Sequence, residues 1–210
     1  MGLIEAAMGG LGAFLVGTGS LVYLVLKNRE RERVRQRERR QEASKDYLKS
    51  LGHTCAMLDN ILIDAGNADN LIFEASKSFA EMQGIGQGQL VTLFGANTPV
   101  SWADSACRQL LGKALDMAGQ ARKAYAEERS GETVLQTSSR IRHLTGTTLD
   151  GLPRDLMRWT LETATERWPK PLVRFEDHWV NDAQKVAQEA GLPLPDALVS
   201  DGGPLQRPTQ

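Results

Sequence analysis

The apolar run from Leu3 to Leu26 carries one charge, Glu5, and passes without a spacer into Lys27-Asn-Arg-Glu-Arg-Glu-Arg-Val-Arg-Gln-Arg-Glu-Arg-Arg40. Between Ala6 and Leu26 there are 21 uncharged residues. At about 1.5 Å rise per residue, a helix of that length matches the roughly 30 Å hydrocarbon core of a bilayer. Residues 1–26 are therefore expected to form a single transmembrane anchor. Lys27 to Arg40 holds eight Lys/Arg against three Glu, and positive charge so close to a span stays on the cytoplasmic side. The expected topology is amino terminus outside and the rest of the chain cytoplasmic. A cleaved signal peptide fits poorly, because the basic residues follow the apolar run. Ala6 stands where a myristoylation signal wants Ser or Thr.

The near-neutral overall charge hides a division. Once the first 40 residues are set aside, 17 basic and 22 acidic side chains remain, so the domain is mildly acidic. It has no concentrated basic face of the kind that phosphate backbones require, and nucleic acid is not an expected partner. Two cysteines, Cys55 and Cys107, are too few and too far apart for a disulfide framework or a zinc knuckle. The Arg-, Ala- and Gly-rich usage points to a bacterial plasma membrane.

Residues 27–46 read as a basic juxtamembrane stalk. Pairs three apart, such as Arg29/Glu32 and Glu30/Arg33, give favourable neighbours on a helix. Lys27, Arg29, Arg31, Arg33 and Arg35 are the candidates for contact with anionic lipid headgroups, worth on the order of 1 kcal/mol each near the surface. Within the span, Gly9, Ala13 and Gly17 are spaced by four and make a flat face suited to helix packing. Self-association or a partner span is the corresponding expectation.

From residue 47 to 190 the periodicity is helical, which makes the chain all-α. Leu48, Leu51, Cys55, Leu58, Leu62 and Ala65 make a coiled-coil-like seam, with Ile72 and Phe79 in register beyond Gly66-Asn-Ala-Asp-Asn70, where a kink or short break is expected. Gly84, Gly86, Gly88, Gly95 and Pro99 predict a flexible connector that packs Leu90, Leu93 and Phe94 onto the bundle. A dinucleotide loop is excluded there, since that fingerprint must follow a strand and open a helix. Ser101 with Asp104 reads as the cap of a long helix carrying Ala103, Cys107, Leu110, Ala114, Met117, Ala121 and Ala124. A shorter helix to Gly146 follows, with Val134, Leu135, Ile141 and Leu144 apolar. Next comes one led by Pro153, bearing Leu156, Met157, Trp159, Leu161, Ala164 and Trp168. The last carries Leu172, Phe175, Trp179, Ala183, Val186 and Ala190 and closes at Gly191 and Pro193. The sum is a cytosolic bundle of about five helices with a disordered tail over 191–210.

No motif carries chemistry. His53, His143 and His178 lie on different helices, none paired at metal-ligand spacing, and nothing calls for a metal or a cofactor. Glu176-Asp177-His178 lies on the solvated side of an amphipathic pattern. Trp168 and Trp179 flank a proline break and form a candidate partner surface; core packing explains them as well. Two function classes follow. One is a noncatalytic, membrane-anchored adaptor or scaffold whose partners are the bilayer and another protein or a second copy. The other is a membrane-bound enzyme whose site leaves no motif.

Overall fold

The computed structural model describes residues 2–61, 67–126, 131–163, 168, 176–195 and 198; within its helices, the side chains of 2–22, 124–126, 131–134, 161–162 and 176–179 are not described. The described residues are helical with short connections and include no strand. Helix α1 spans Gly2–Ile61, α2 Ala68–Gly84, α3 Val91–Phe94, α4 Pro99–Ala126, α5 Gly131–Leu149, α6 Leu152–Thr163 and α7 Glu176–Ala190. The five helices of three turns or more after α1 match the expected bundle.

The chain divides into two compact units, Met1–Arg39 and Arg40–Gln210. In the first, every side chain from Tyr23 to Arg39 is exposed, the apolar Tyr23, Leu24, Val25 and Leu26 included. Among the described residues no helix is long and apolar enough to cross a membrane. The expected span, with Gly9, Ala13 and Gly17, lies on α1 where side chains fall outside the described residues.

The second unit takes in Arg40, Ala43 and Ser44, ahead of the Tyr47 at which the stalk was expected to end. Arg40 lays its guanidinium over the Phe94 ring, 5.1 Å from the centroid, and its Nε donates to Leu93 O at 3.0 Å. From there α1 buries Tyr47, Leu51, Thr54, Cys55, Leu58 and Ile61. The seam is thus rotated by one residue at its start: Tyr47 takes the core position and Leu48 sits at the edge. Beyond the break the rotation is larger. Helix α2 buries Ala68, Ala75, Ser78 and Met82, while Ile72 and Phe79 only flank the core. An uninterrupted heptad register presumes an uninterrupted helix, and Asn67, with φ −111° and ψ 12°, leaves helical geometry ahead of α2.

The expected flexible connector is helical. Ile85–Leu90 continues α2 as a π-helical segment, in which the Val91 N–H reaches back to Gly86 O, and α3 follows directly. Met82, Gly86, Leu90 and Phe94 are all buried and recur every four residues. In a regular α-helix each such step drifts by about 40°, because four residues overshoot the 3.6-residue turn. The wider π turn takes up that drift and keeps the row on the core. Leu90, Leu93 and Phe94 pack on the bundle as expected.

Helix α4 is the centre of the bundle and packs against α2, α5, α6 and α7. Val100, Ala103, Ala106, Cys107, Leu110, Leu111, Ala114 and Ala118 are buried, so it is covered on more than one side along its first half. The small side chains permit close approach. Helix α5 extends past Gly146 to Leu149 and buries Ile141 and Leu144, whereas Leu135 is 72% exposed and not part of the core.

The tail is ordered where it is described. Gly191 takes the left-handed φ of 74° and the Leu192 N–H bonds Ala187 O at 2.8 Å, the Schellman closure of a helix. Leu192, Leu194 and Leu198 pack against the core. The expected disorder therefore does not hold for 191–195, because alternate leucines find apolar surface there; 199–210 lie outside the described residues.

Gly86 faces the Asp104 carboxyl with no room for a side chain between them. A Cβ at this position would stand 2.1 Å from Asp104 Oδ1. Gly86→Ala is expected to cost about 1–3 kcal/mol of unfolding free energy by overpacking, measured by urea denaturation, and to cost clearly less in an Asp104→Ala background. Equal costs in both backgrounds would show that the contact does not govern this position.

Candidate functional site

Two side chains at the start of α4 define the most distinctive surface of the bundle, and the cap sets where they point. Thr98 N–H donates to Ser101 Oγ at 3.0 Å and Ser101 N–H to Thr98 Oγ1 at 3.3 Å, with Pro99 at the first helical position. This reciprocal pair is a capping box in which Ser takes the place of Glu or Gln. Thr98, not Ser101, is thus the cap. Asp104, expected as the capping partner, is freed to point into the bundle, where it is 1% exposed.

Trp102 packs edge-on against Trp168, centroids 6.1 Å apart at an interplanar angle of 66°. Its Nε1–H donates to Pro193 O at 3.2 Å. Beside this pair lies an open cleft of about 620 Å³, lined by Val91, Asn97 and Ser105, by Asp104 and Arg108 at its floor, and by the Leu192–Pro195 segment. The expected Trp168 surface thus exists in part, with Trp102 as the ring it meets. Trp179 falls outside the described side chains.

Behind the cleft the chemistry is closed off from solvent. Asp104 Oδ2 accepts from Arg108 Nε at 2.9 Å, and Arg108 Nη2 reaches Ser105 Oγ at 3.2 Å. Asp104 Oδ1 and Tyr47 Oη are buried without a hydrogen-bond partner, and the two groups are near enough to shift each other's titration. Burial pushes the Asp104 carboxyl up, and the Arg108 charge offsets only part of this. Burial likewise raises the Tyr47 phenol and the Cys107 thiol, each further raised by the Asp104 charge. The Cys55 thiol is pushed up to about 12, mainly by burial and then by Asp59. Both cysteines therefore remain protonated thiols near neutrality, the inert state of core cysteines.

A second, polar groove runs between α5 and α7. Glu189 accepts from Arg140 at 2.5 Å and meets His143 Nε2 at 3.0 Å, while Lys113 donates to the Glu189 carbonyl. Arg140 and Lys113 thus gather at the carboxyl end of α7, where the helix dipole favours positive charge. The groove, about 790 Å³, is also lined by Asp150, Asp182 and Lys185. His53 is exposed and distant in sequence from this groove, and the side chain of His178 is not described. Among the described residues no three His, Cys, Asp or Glu gather as metal ligands do.

Lys27, Arg29, Arg31, Arg33 and Arg35 are all exposed on α1, with Lys27 Nζ 5.6 Å above the Tyr23 ring. Sequence reasoning took Asp104 only for a capping partner and did not single out Tyr47, although a signal exists. Asp104 stands four residues after Val100 and three before Cys107, inside the buried stripe, with Arg108 one turn on as its counter-ion. The role of Leu192–Pro195 was hidden by its tail-like composition. No known protein family, curated protein or solved structure matches the chain.

Because Tyr47 Oη is buried unpaired, Tyr47→Phe is expected to leave unfolding free energy unchanged or raise it by up to about 1 kcal/mol, since an unsatisfied hydroxyl costs about 1–3 kcal/mol. A loss above that size in urea unfolding would reveal a hydrogen bond to the hydroxyl. Asp104 predicts a pH signature. A carboxyl whose folded pKa lies above its unfolded value binds more protons when folded, so its contribution to stability falls as pH rises through that window. Wild type is therefore expected to lose stability relative to Asp104→Asn as pH rises from the acid side, and to stay lower above the raised pKa. Parallel pH profiles of the two proteins would contradict this.

Proposed function

We propose that the protein is a noncatalytic, single-pass membrane adaptor, with its amino terminus outside and its helical bundle presented to the cytoplasm. The observation that carries this reading is the chemistry of α1. One helix bears an apolar run, then exposed Tyr23–Leu26, then a wholly exposed basic stretch to Arg39, and only from Arg40 a buried face. A helical segment that is polar all round serves as a bridge through solvent. Its Lys and Arg content sets orientation and attracts anionic headgroups. The Gly9, Ala13 and Gly17 face suits close packing of two spans. The bundle supplies an aromatic cleft at its surface while both its thiols are buried, which supports a binding role.

Two measurements test the reading. The full chain is expected to resist alkaline carbonate extraction from membranes, and a variant lacking residues 2–26 to be released; release of the full chain would overturn the anchor. Crosslinking in native membranes is expected to join the bundle to a different protein. Recovery of a lone homo-oligomer would overturn the adaptor in its recruiting form.

A further inference from the structure

Four consecutive residues of the tail are held extended by proline chemistry. Pro193 and Pro195 fix their own φ near about −65°. Leu192 and Leu194 each precede a proline and are driven out of the helical region. The segment is thereby prepared as a short polyproline-type strand. It is only partly buried. Pro193 is exposed, and Leu192, Leu194 and Pro195 are half-buried. Among the described residues, the backbone bonds of Leu192–Pro195 are those of Leu192 N–H to Ala187 O at 2.8 Å and of Leu198 N–H to Pro195 O at 2.9 Å. The side-chain bond to the segment is the indole N–H of Trp102 on the Pro193 carbonyl.

A proline-containing segment that borders the same cleft as paired aromatic rings, with an indole N–H on a proline carbonyl, resembles the physics by which aromatic grooves take polyproline ligands. Such a groove reads shape and a carbonyl, and any segment that supplies both can replace the one in place. The tail leaves the cleft of about 620 Å³ beside it open, from Asn97 to Arg108. A longer incoming segment gains that extra surface. A second copy's tail would remake the same contacts and gain nothing.

We propose that the Trp102–Trp168 cleft is a docking site for an extended, proline-containing segment of a partner protein, and that Leu192–Pro195, which forms one wall of it in cis, is a removable strap. This names the partner class of the adaptor above and rests on that reading. The strap makes docking conditional: apparent affinity falls by the fraction of molecules in which the cleft is free, and a tethered competitor acts at a high effective concentration.

The test is fluorescence anisotropy of a labelled Leu-Pro octapeptide, four repeats long, titrated with the full chain in mild detergent, against the same peptide with Ala for Pro. The Leu-Pro peptide is expected to bind saturably, and the double substitution Pro193→Ser/Pro195→Ser, which loosens the strap, to tighten it by roughly tenfold. Trp102→Phe keeps the ring and removes the N–H, and is expected to weaken the peptide in both backgrounds; circular dichroism verifies that each variant is folded. Equal binding of the Ala peptide, indifference to Trp102→Phe, or no gain on loosening the strap would overturn the proposal. Concentration-dependent dimers of the wild type that vanish in the Pro193→Ser/Pro195→Ser variant would overturn it in favour of a second copy. Peptide binding together with only homo-oligomeric crosslinks in membranes would uphold the cleft and sink the adaptor reading, so the two fail separately.

Discussion

The bundle depends on how closely other helices can approach α4. Ala103, Ala106, Cys107, Ala114 and Ala118 present little bulk, so backbones come near and dispersion contacts accumulate over short distances. Close approach also leaves no room for error. Where the π-helical segment meets α4, the only side chain that fits opposite Asp104 is the hydrogen of Gly86. Larger residues along α4 would push the neighbours apart and lose both the row from Met82 to Phe94 and the shelf on which Tyr47 rests.

Asp104 is the costly element in this arrangement. A carboxylate inside a tightly packed interface has one oxygen on Arg108 and one without a partner, and burial disfavours its charge. Interior ionic groups of this kind are weak contributors to stability in other proteins. Here the Asp104–Arg108 pair spans from the core to the floor of the surface cleft. It ties the position of Arg108, and with Ser105 the shape of that floor, to the packing behind it. The cleft is therefore built on the α4 amino-terminal turns, and the Leu192–Pro195 segment forms one of its walls.

How much of this was legible in the sequence follows from the range of the interactions concerned. Helix existence was readable because apolar spacing along α4, α6 and α7 is a local property. The connector was misread because three glycines signal a turn locally, whereas four-residue spacing from Met82 to Phe94 signals a π turn only when a core is there to receive the row. The cap was displaced from Ser101 to Thr98 because Pro99 at the first helical position outweighs an acidic residue three places after Ser101. Leu135 reads as core by composition, yet among the described residues it is left exposed.

The sequence by itself determined the layout along the chain: an apolar run, a basic border, and an all-helical domain whose cysteines and histidines form no local site. These are contiguous properties, set by hydropathy, charge and helical period over a few turns. Only the tertiary structure decided that Tyr47, Gly86 and Asp104 meet, that Trp102 is the ring beside Trp168, and that the Leu192–Pro195 segment covers them. Those contacts join residues tens of positions apart, and their pairing is chosen by which faces can be buried together at α4, a competition that no single stretch of sequence contains.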